Sequence, residues 1–275
     1  MIRREDVAHH VWGDTVAGFV TDRVISSTDQ LHVLEYELPP RGEFRHSDVN
    51  PTIFGGDVLY FLAEGRMIIA DPSTGEMHLM KAGEGVVIPA TTWHNAFNPY
   101  SEVARVIEFF SPPPARGAAS DFARRQAPLE AAHYVDERWS GRWPAAFHEA
   151  KQARRLPIMS FDTGLLSFRD AAPTHLRSTV VDTDYLTVML GEVHPGHVED
   201  FASVTSESVL VLIEGELWVD VWTEDDGYAS TTVLQEGDAM FLPIGVFERL
   251  LVRRHTPARY VLGSGSVPEG WTPPA

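Results

Sequence analysis

Gly83-Glu-Gly-Val-Val-Ile-Pro89-Ala-Thr-Thr-Trp-His94-Asn-Ala-Phe-Asn98 reads as a glycine turn, an apolar strand and a proline corner, followed by a histidine and an asparagine at fixed offsets. The stretch returns in the second half as Gly237-Asp-Ala-Met-Phe-Leu-Pro243-Ile-Gly245-Val-Phe-Glu248, with Val252 where the asparagine would stand. Each copy follows an apolar strand closed by glycine, Val58-Leu-Tyr-Phe-Leu-Ala-Glu-Gly65 and Val209-Leu-Val-Leu-Ile-Glu-Gly215. Two such copies in one order mark an internal duplication of a β unit. The chemistry is present in the first copy and stripped from the second.

Working outward, short runs rich in Val, Ile, Leu and aromatics cover 31–38, 58–62, 66–70, 77–80, 85–88 and 103–110, separated by turns such as Asp71-Pro-Ser-Thr-Gly75. The spacing recurs at 185–191, 209–213, 216–222, 231–234, 239–242 and 258–262. Many short strands at regular intervals predict an all-β sandwich or barrel in each half. A chain of 275 residues, 44% hydrophobic, is long enough to give each half its own core. Between the halves, Ser111-Pro-Pro-Pro-Ala-Arg-Gly stops the strand pattern, and helical tendency follows around 128–138 and 144–155. Trp139 and Trp143 fall at i, i+4 spacing there and are expected to pack a helix.

The balance of 22 basic against 39 acidic residues, a formal charge of −17, repels nucleic acid and anionic membrane alike. No apolar run reaches the roughly 18 residues that span a bilayer, and a cytoplasmic location is expected. With no cysteine, any metal must be held by imidazole and carboxylate.

The two motifs resemble those of the cupins, whose second motif reads G-x5-P-x-G-x2-H-x3-N and whose first reads roughly G-x5-H-x-H-x3,4-E-x6-G. Gly83, Pro89, His94 and Asn98 match the second motif, with Thr91 for its middle glycine; Gly237, Pro243 and Gly245 match it again. The resemblance covers roughly 31–110 and 185–262 and implies two tandem cupin-type antiparallel jelly-roll β-barrels with a short, partly helical connector. The expected boundaries are 1–30 for an amino-terminal arm, 31–112 for the first barrel, 113–160 for the connector, 161–265 for the second barrel and 266–275 for the tail. The fold carries many functions, so it implies none by itself.

On the first motif, Gly42-Glu-Phe-Arg-His46-Ser-Asp48 puts His46 at the first histidine position and Asp48 at the second. The motif's glutamate falls beside Asp57, one residue out of register, which turns a strand side chain to the opposite face unless a bulge intervenes. His46 and His94 with Asp48 or Asp57 make the expected metal set. Two imidazoles and a carboxylate suit Fe(II) first, and also Zn, Mn or Ni. Tyr60, Leu62, Ile88 and Phe97 are the expected substrate walls, Asn98 an amide that closes a turn, and Trp93 a core ring.

In the second half, placing Pro195-Gly196-His-Val-Glu-Asp200 on the motif puts Asp200 and Ala202 at the histidine positions, Glu248 at the third, and Glu207 or Ser208 at the glutamate. A barrel that has lost its metal is the expectation there, with Glu248 and Glu207 as a possible acid and base pair. His194 and His197 lie just outside the matching positions and complete a site only under a different strand register. The remaining histidines, His175 among them, match nothing and are expected at the surface. The reading implied overall is a metal-dependent enzyme on a small organic molecule, a dioxygenase of a catechol, enol or hydroxy-aromatic compound before a non-redox isomerase or cyclase, or else a non-catalytic ligand-binding protein. Exposed sheet edges make a homodimer the expected assembly.

Overall fold

The computed structural model describes residues 1–132, 134, 156–169, 173–225 and 227–274. The connector helices expected from the sequence, with Trp139 and Trp143, lie wholly or mostly outside these residues. In the first half the strands are β1 (His9–Asp14), β2 (Gly18–Ser27), β3 (His32–Leu38), β4 (Glu43–Phe44), β5 (Asp57–Glu64), β6 (Arg66–Asp71), β7 (Glu76–Lys81), β8 (Glu84–Ile88), β9 (Asn95–Phe97), β10 (Ala104–Ser111) and β11 (Ile158–Ser160). They form a sheet ordered β1-β2-β3-β10-β5-β8-β11 and a facing one ordered β4-β9-β6-β7.

In the second half the strands are β12 (Leu165–Phe168), β13 (His175–Asp182), β14 (Leu186–Val193), β15 (Ala202–Ser203), β16 (Ser208–Glu214), β17 (Glu216–Trp222), β18 (Ala229–Gln235), β19 (Ala239–Leu242), β20 (Phe247–Leu251) and β21 (Ala258–Gly265). Their sheets run β12-β13-β14-β21-β16-β19 and β15-β20-β17-β18, the first half's topology strand for strand apart from β11, which has no counterpart. The duplication read from two motifs is therefore complete in the backbone, and both halves are antiparallel jelly-roll barrels. Residues 9–27, expected as part of an arm, are two strands of the first barrel. Ile2 reaches across to bridge Ala239 of the second barrel, and β11 pairs with β8 of the first. Among the described residues no helix is long and apolar enough to cross a membrane.

Strand alternation explains why the central strands read as unbroken apolar runs. On β10, Val106 and Phe110 point into the first barrel with Val58, Tyr60 and Leu62 of β5. Ile107 and Phe109 point the other way with Leu59 and Phe61, and meet Val188, Val209, Val211 and Val261 of the second barrel. The two large sheets thus pack back to back, each buried on both faces. Beside this seam, the buried Glu35 takes hydrogen bonds from Arg4, Arg23 and Arg105 at 2.8 to 3.0 Å.

The turn after β8 shows how one motif tolerates two residue types. Gly245 has φ of 89°, in the left-handed region glycine favours, and Thr91, its counterpart, holds φ of 66°. Asn98 closes the next turn as expected: its amide donates to the carbonyls of Leu38 at 3.0 Å, Pro39 at 3.1 Å and Glu102 at 2.7 Å.

Candidate functional site

Two barrel interiors hold polar groups, and they differ in kind. In the second, β13 turns His175 inward and the segment after β14 returns His197 and Glu199 to meet it. His175 and His197 hydrogen-bond the same Glu199 Oε2, from Nδ1 at 3.0 Å and Nε2 at 2.7 Å. Arg169 Nε lies 3.2 Å from that oxygen, and Glu199 Oε1 accepts the Leu250 amide at 2.7 Å. The outward nitrogen of each imidazole is also held: His175 Nε2 by the Tyr260 hydroxyl at 2.7 Å, His197 Nδ1 by Thr174 Oγ1 at 2.9 Å. Such partners fix ring orientation and tautomer, as they do around metal-bound histidines.

Arg169 joins this cluster to the duplicated motif, with Nη2 2.6 Å from Glu248 Oε1. Glu248 Oε2 is buried with no hydrogen-bond partner among the described residues. Burial opposes ionisation of Glu199, yet the bond from His175, the charge of Arg169 and the bonds from Leu250 and His197 outweigh it and hold its carboxyl down to about 2. Burial wins at Glu248, whose carboxyl is pushed up against the opposing charge of Arg169. Burial also pushes the His175 imidazole down, favouring its neutral form.

Among the described residues, His175, His197 and Glu199 are the one group of three side chains whose ligand atoms come close enough to hold a metal. Two imidazoles, an ionised carboxylate and an orphaned buried oxygen nearby fit a divalent cation in donor chemistry. The motif expected at Asp200 and Ala202 lies three residues earlier in the chain. Counting from Gly191 rather than from the turn at Pro195-Gly196, five residues lead to His197 and two more to Glu199, the G-x5-H-x-H spacing with glutamate for the second histidine. His175, expected at the surface, is fully buried because β13 faces it into the barrel.

The first barrel does not assemble the metal set expected of it. His94 is fully buried, but its Nε2 pairs with the Tyr60 hydroxyl at 3.0 Å and its Nδ1 lies 3.2 Å from the Thr92 carbonyl. His46 packs on Trp93, ring centroids 4.6 Å apart, beside Asp48. Asp57 Oδ1 is used as a cap on the Ala90 amide at 3.0 Å. Of the expected walls, Tyr60 lines the interior, Leu62 and Ile88 are in the packed core, and Phe97 stacks edge-on with Tyr134. Glu207, the expected partner of Glu248, has a buried carboxyl oxygen without a hydrogen-bond partner among the described residues.

What the first barrel has is a cavity of about 370 Å³. Its walls include Trp12, Leu34, Tyr36, Phe44, Phe54, Tyr60 and Phe110, and three buried titratable groups, Asp22, His94 and Glu108, face into it. A largely apolar cavity of this size with few convergent polar groups is what small-molecule sites offer.

No family model and no curated protein matches the sequence. Solved structures do match in shape. A putative glyoxylate-induced protein from Pseudomonas aeruginosa is 15% identical, with a TM-score of 0.64 over 93% of this chain and 84% of that one. Hazelnut vicilin is 14% identical, with a TM-score of 0.63 over 96% and 84%. The oxalate decarboxylase of Lactobacillus farciminis, solved with formate, is 12% identical, with a TM-score of 0.62 over 95% and 84%. The chain has the bicupin fold, two tandem cupin barrels in one polypeptide. A decarboxylase and a vicilin share that fold, so the site must carry the functional argument.

Proposed function

We propose that this bicupin is a metal-dependent enzyme acting on a small organic molecule, its metal held in the second barrel by His175, His197 and Glu199. The observation that carries the reading is the closed donor set: two imidazoles on one carboxylate oxygen, each ring fixed from behind by Thr174 or Tyr260. A divalent ion bound there supplies Lewis acidity or, as Fe(II), a meeting place for dioxygen and substrate. On that basis the favoured reaction is dioxygenation of a catechol, enol or hydroxy-aromatic compound, with a non-redox isomerisation or cyclisation as the alternative under Zn, Mn or Ni. In either case Arg169 restrains Glu199 and Glu248, and the Glu248 carboxyl, pushed up by burial, holds its proton more tightly than an exposed carboxyl does.

Elemental analysis tests this directly. Protein grown with iron, zinc, manganese and nickel available is expected to carry about one metal per chain. His197→Ala should lose it and His94→Ala should keep it. Metal-free wild type, or metal retained in His197→Ala, overturns the reading. A second reading, a non-catalytic ligand-binding bicupin, draws on the first-barrel cavity, and it predicts metal-free protein that still binds small molecules.

A further inference from the structure

The first-barrel cavity has a charge and a surface that select one chemical class of ligand. Asp22 on β2 and Glu108 on β10 both point into it, 8% and 7% exposed. Register places them among aromatic rings: Asp22 stands opposite Tyr36, and Glu108 opposite Tyr60. Tyr36, Phe44 and Tyr60 pack mutually edge to face, with centroids 5.5 to 6.1 Å apart. Glu108 makes no hydrogen bond among the described residues, and Asp22 has only His10 Nδ1, at 3.4 Å. Two carboxyl groups are thus nine-tenths buried and nearly without partners, aimed into space large enough for a ring-bearing molecule.

Among the described residues no lysine or arginine lines the cavity. Its other titratable groups are His10 at the rim, His32, His94, Tyr36 and Tyr60. Burial pushes His32 and His94 down to about 4, so neither brings a positive charge at neutral pH. A carboxylate or phosphate ligand would meet like charge and, among the described residues, no lysine or arginine. An ammonium group would meet two carboxylates and the electron-rich faces of aromatic rings, the environment that recognises organic cations.

We propose that this cavity binds a small amine carrying an aromatic or aliphatic body, its ammonium taken by Asp22 and Glu108 and its body by the rings of Tyr36, Phe44 and Tyr60. The cavity holds its carboxyls back from ionising: burial pushes Glu108 up to about 8, with the charge of Asp22 adding to it, and burial pushes Asp22 up to about 6. An incoming ammonium reverses this and expels a proton, so affinity rises between pH 5 and 8 as the carboxyls ionise. The site is independent of the metal centre in the other barrel.

The test is calorimetric titration of the full chain with three probes of matched shape: 2-phenylethylamine, 2-phenylethanol and 3-phenylpropionate. At pH 7.5 the amine should bind at least about tenfold more tightly than the alcohol and the acid most weakly, with proton release seen as a buffer-dependent heat. The Asp22→Asn, Glu108→Gln double variant, which removes charge but keeps shape, should lose the preference for the amine. The proposal is overturned if the amine does not bind, if the alcohol or the acid binds as well, or if the preference survives the double substitution.

Discussion

The two barrels share one strand order and fill it with opposite chemistry. Register makes the exchange traceable. In the first barrel Tyr36 on β3 stands opposite Val106 on β10; at the same place in the second, Gly191 on β14 stands opposite Tyr260 on β21. The large ring has moved from one strand to its neighbour. A Cβ on Gly191 would lie 2.1 Å from the Tyr260 ring, so glycine is what admits the ring to its place over His175. Glu108, opposite Tyr60, gives way to Leu262, opposite Leu210. One barrel therefore leaves carboxyls facing a cavity, and the other spends its polar groups on each other. A duplicated scaffold can divide ligand space and a candidate metal centre between its halves, because the strands set where side chains point and not what they are.

The comparison breaks most forcefully at Glu199. Glu199→Ala leaves His175, His197, Arg169 and the Leu250 amide without their shared acceptor, and should cost about 3–5 kcal/mol, read as the shift in denaturation midpoint. No single substitution in the first cavity should match it. Next comes the pH dependence, where the barrels should act in opposite directions. Glu108 and Asp22 have folded-state pKa values of about 8 and about 6, above their ordinary 4.5 and 3.8. Their contribution to stability is full below pH 4 and is lost as pH rises through 6 and 8. Glu199, held at about 2 against 4.5, contributes above pH 4.5 and loses that contribution as pH falls toward 2. Because His32 and His94, pushed down to about 4, act in the opposite sense below about pH 6.5, the Glu108 effect is read between pH 7 and 9, where wild type should lose on the order of 1 kcal/mol. Glu108→Gln should flatten that slope, and a slope unchanged in this variant would remove Glu108 as its source.

The same contrast shows what the sequence made legible. β3, β5, β6, β7, β8 and β10, and β14, β16, β17, β18, β19 and β21, each overlap an apolar run read from the chain; the signal is strongest in β5 and β16, which are buried on both faces, while β7 and β18 are largely exposed edge strands. The outer strands β1, β2, β12 and β13 carry no such signal. On β2 the inward positions include Asp22, and β13 opens with the inward His175 and continues through Arg177 and Ser178. Polar groups on the inner face erase the alternation that marks a strand, so the strands that bring chemistry into the interiors were the ones that pattern could not find. The metal set went astray for a related reason. His94 and Glu248 occupy matched motif positions, but the partners that decide what each does, Tyr60 for one and Arg169 for the other, come from segments distant in sequence.

The Tyr36–Val106 and Gly191–Tyr260 exchange can be tested as a pair. Gly191→Val should destabilise by about 1–3 kcal/mol through overpacking against Tyr260, measured by urea denaturation. Adding Tyr260→Val, the residue that serves at this place in the first barrel, should recover part of that loss, and a double variant no better than the single would mean that Gly191 is needed for some other reason.

The smallest effect belongs to the turn that both motifs share. Thr91 holds a left-handed backbone conformation in an exposed turn, where a β-branched side chain crowds its own peptide and glycine does not. Thr91→Gly should relieve that crowding but widen the unfolded ensemble, for a net gain of up to about 1 kcal/mol. Gly245→Thr, at the matching position, should cost a similar amount or more. If the two substitutions shift the thermal midpoint in opposite directions, the turns are conformationally equivalent despite their different residues. If Thr91→Gly destabilises, the threonine makes a contribution in the first barrel that the second does not need, and the barrels differ in their turns as well as in their interiors.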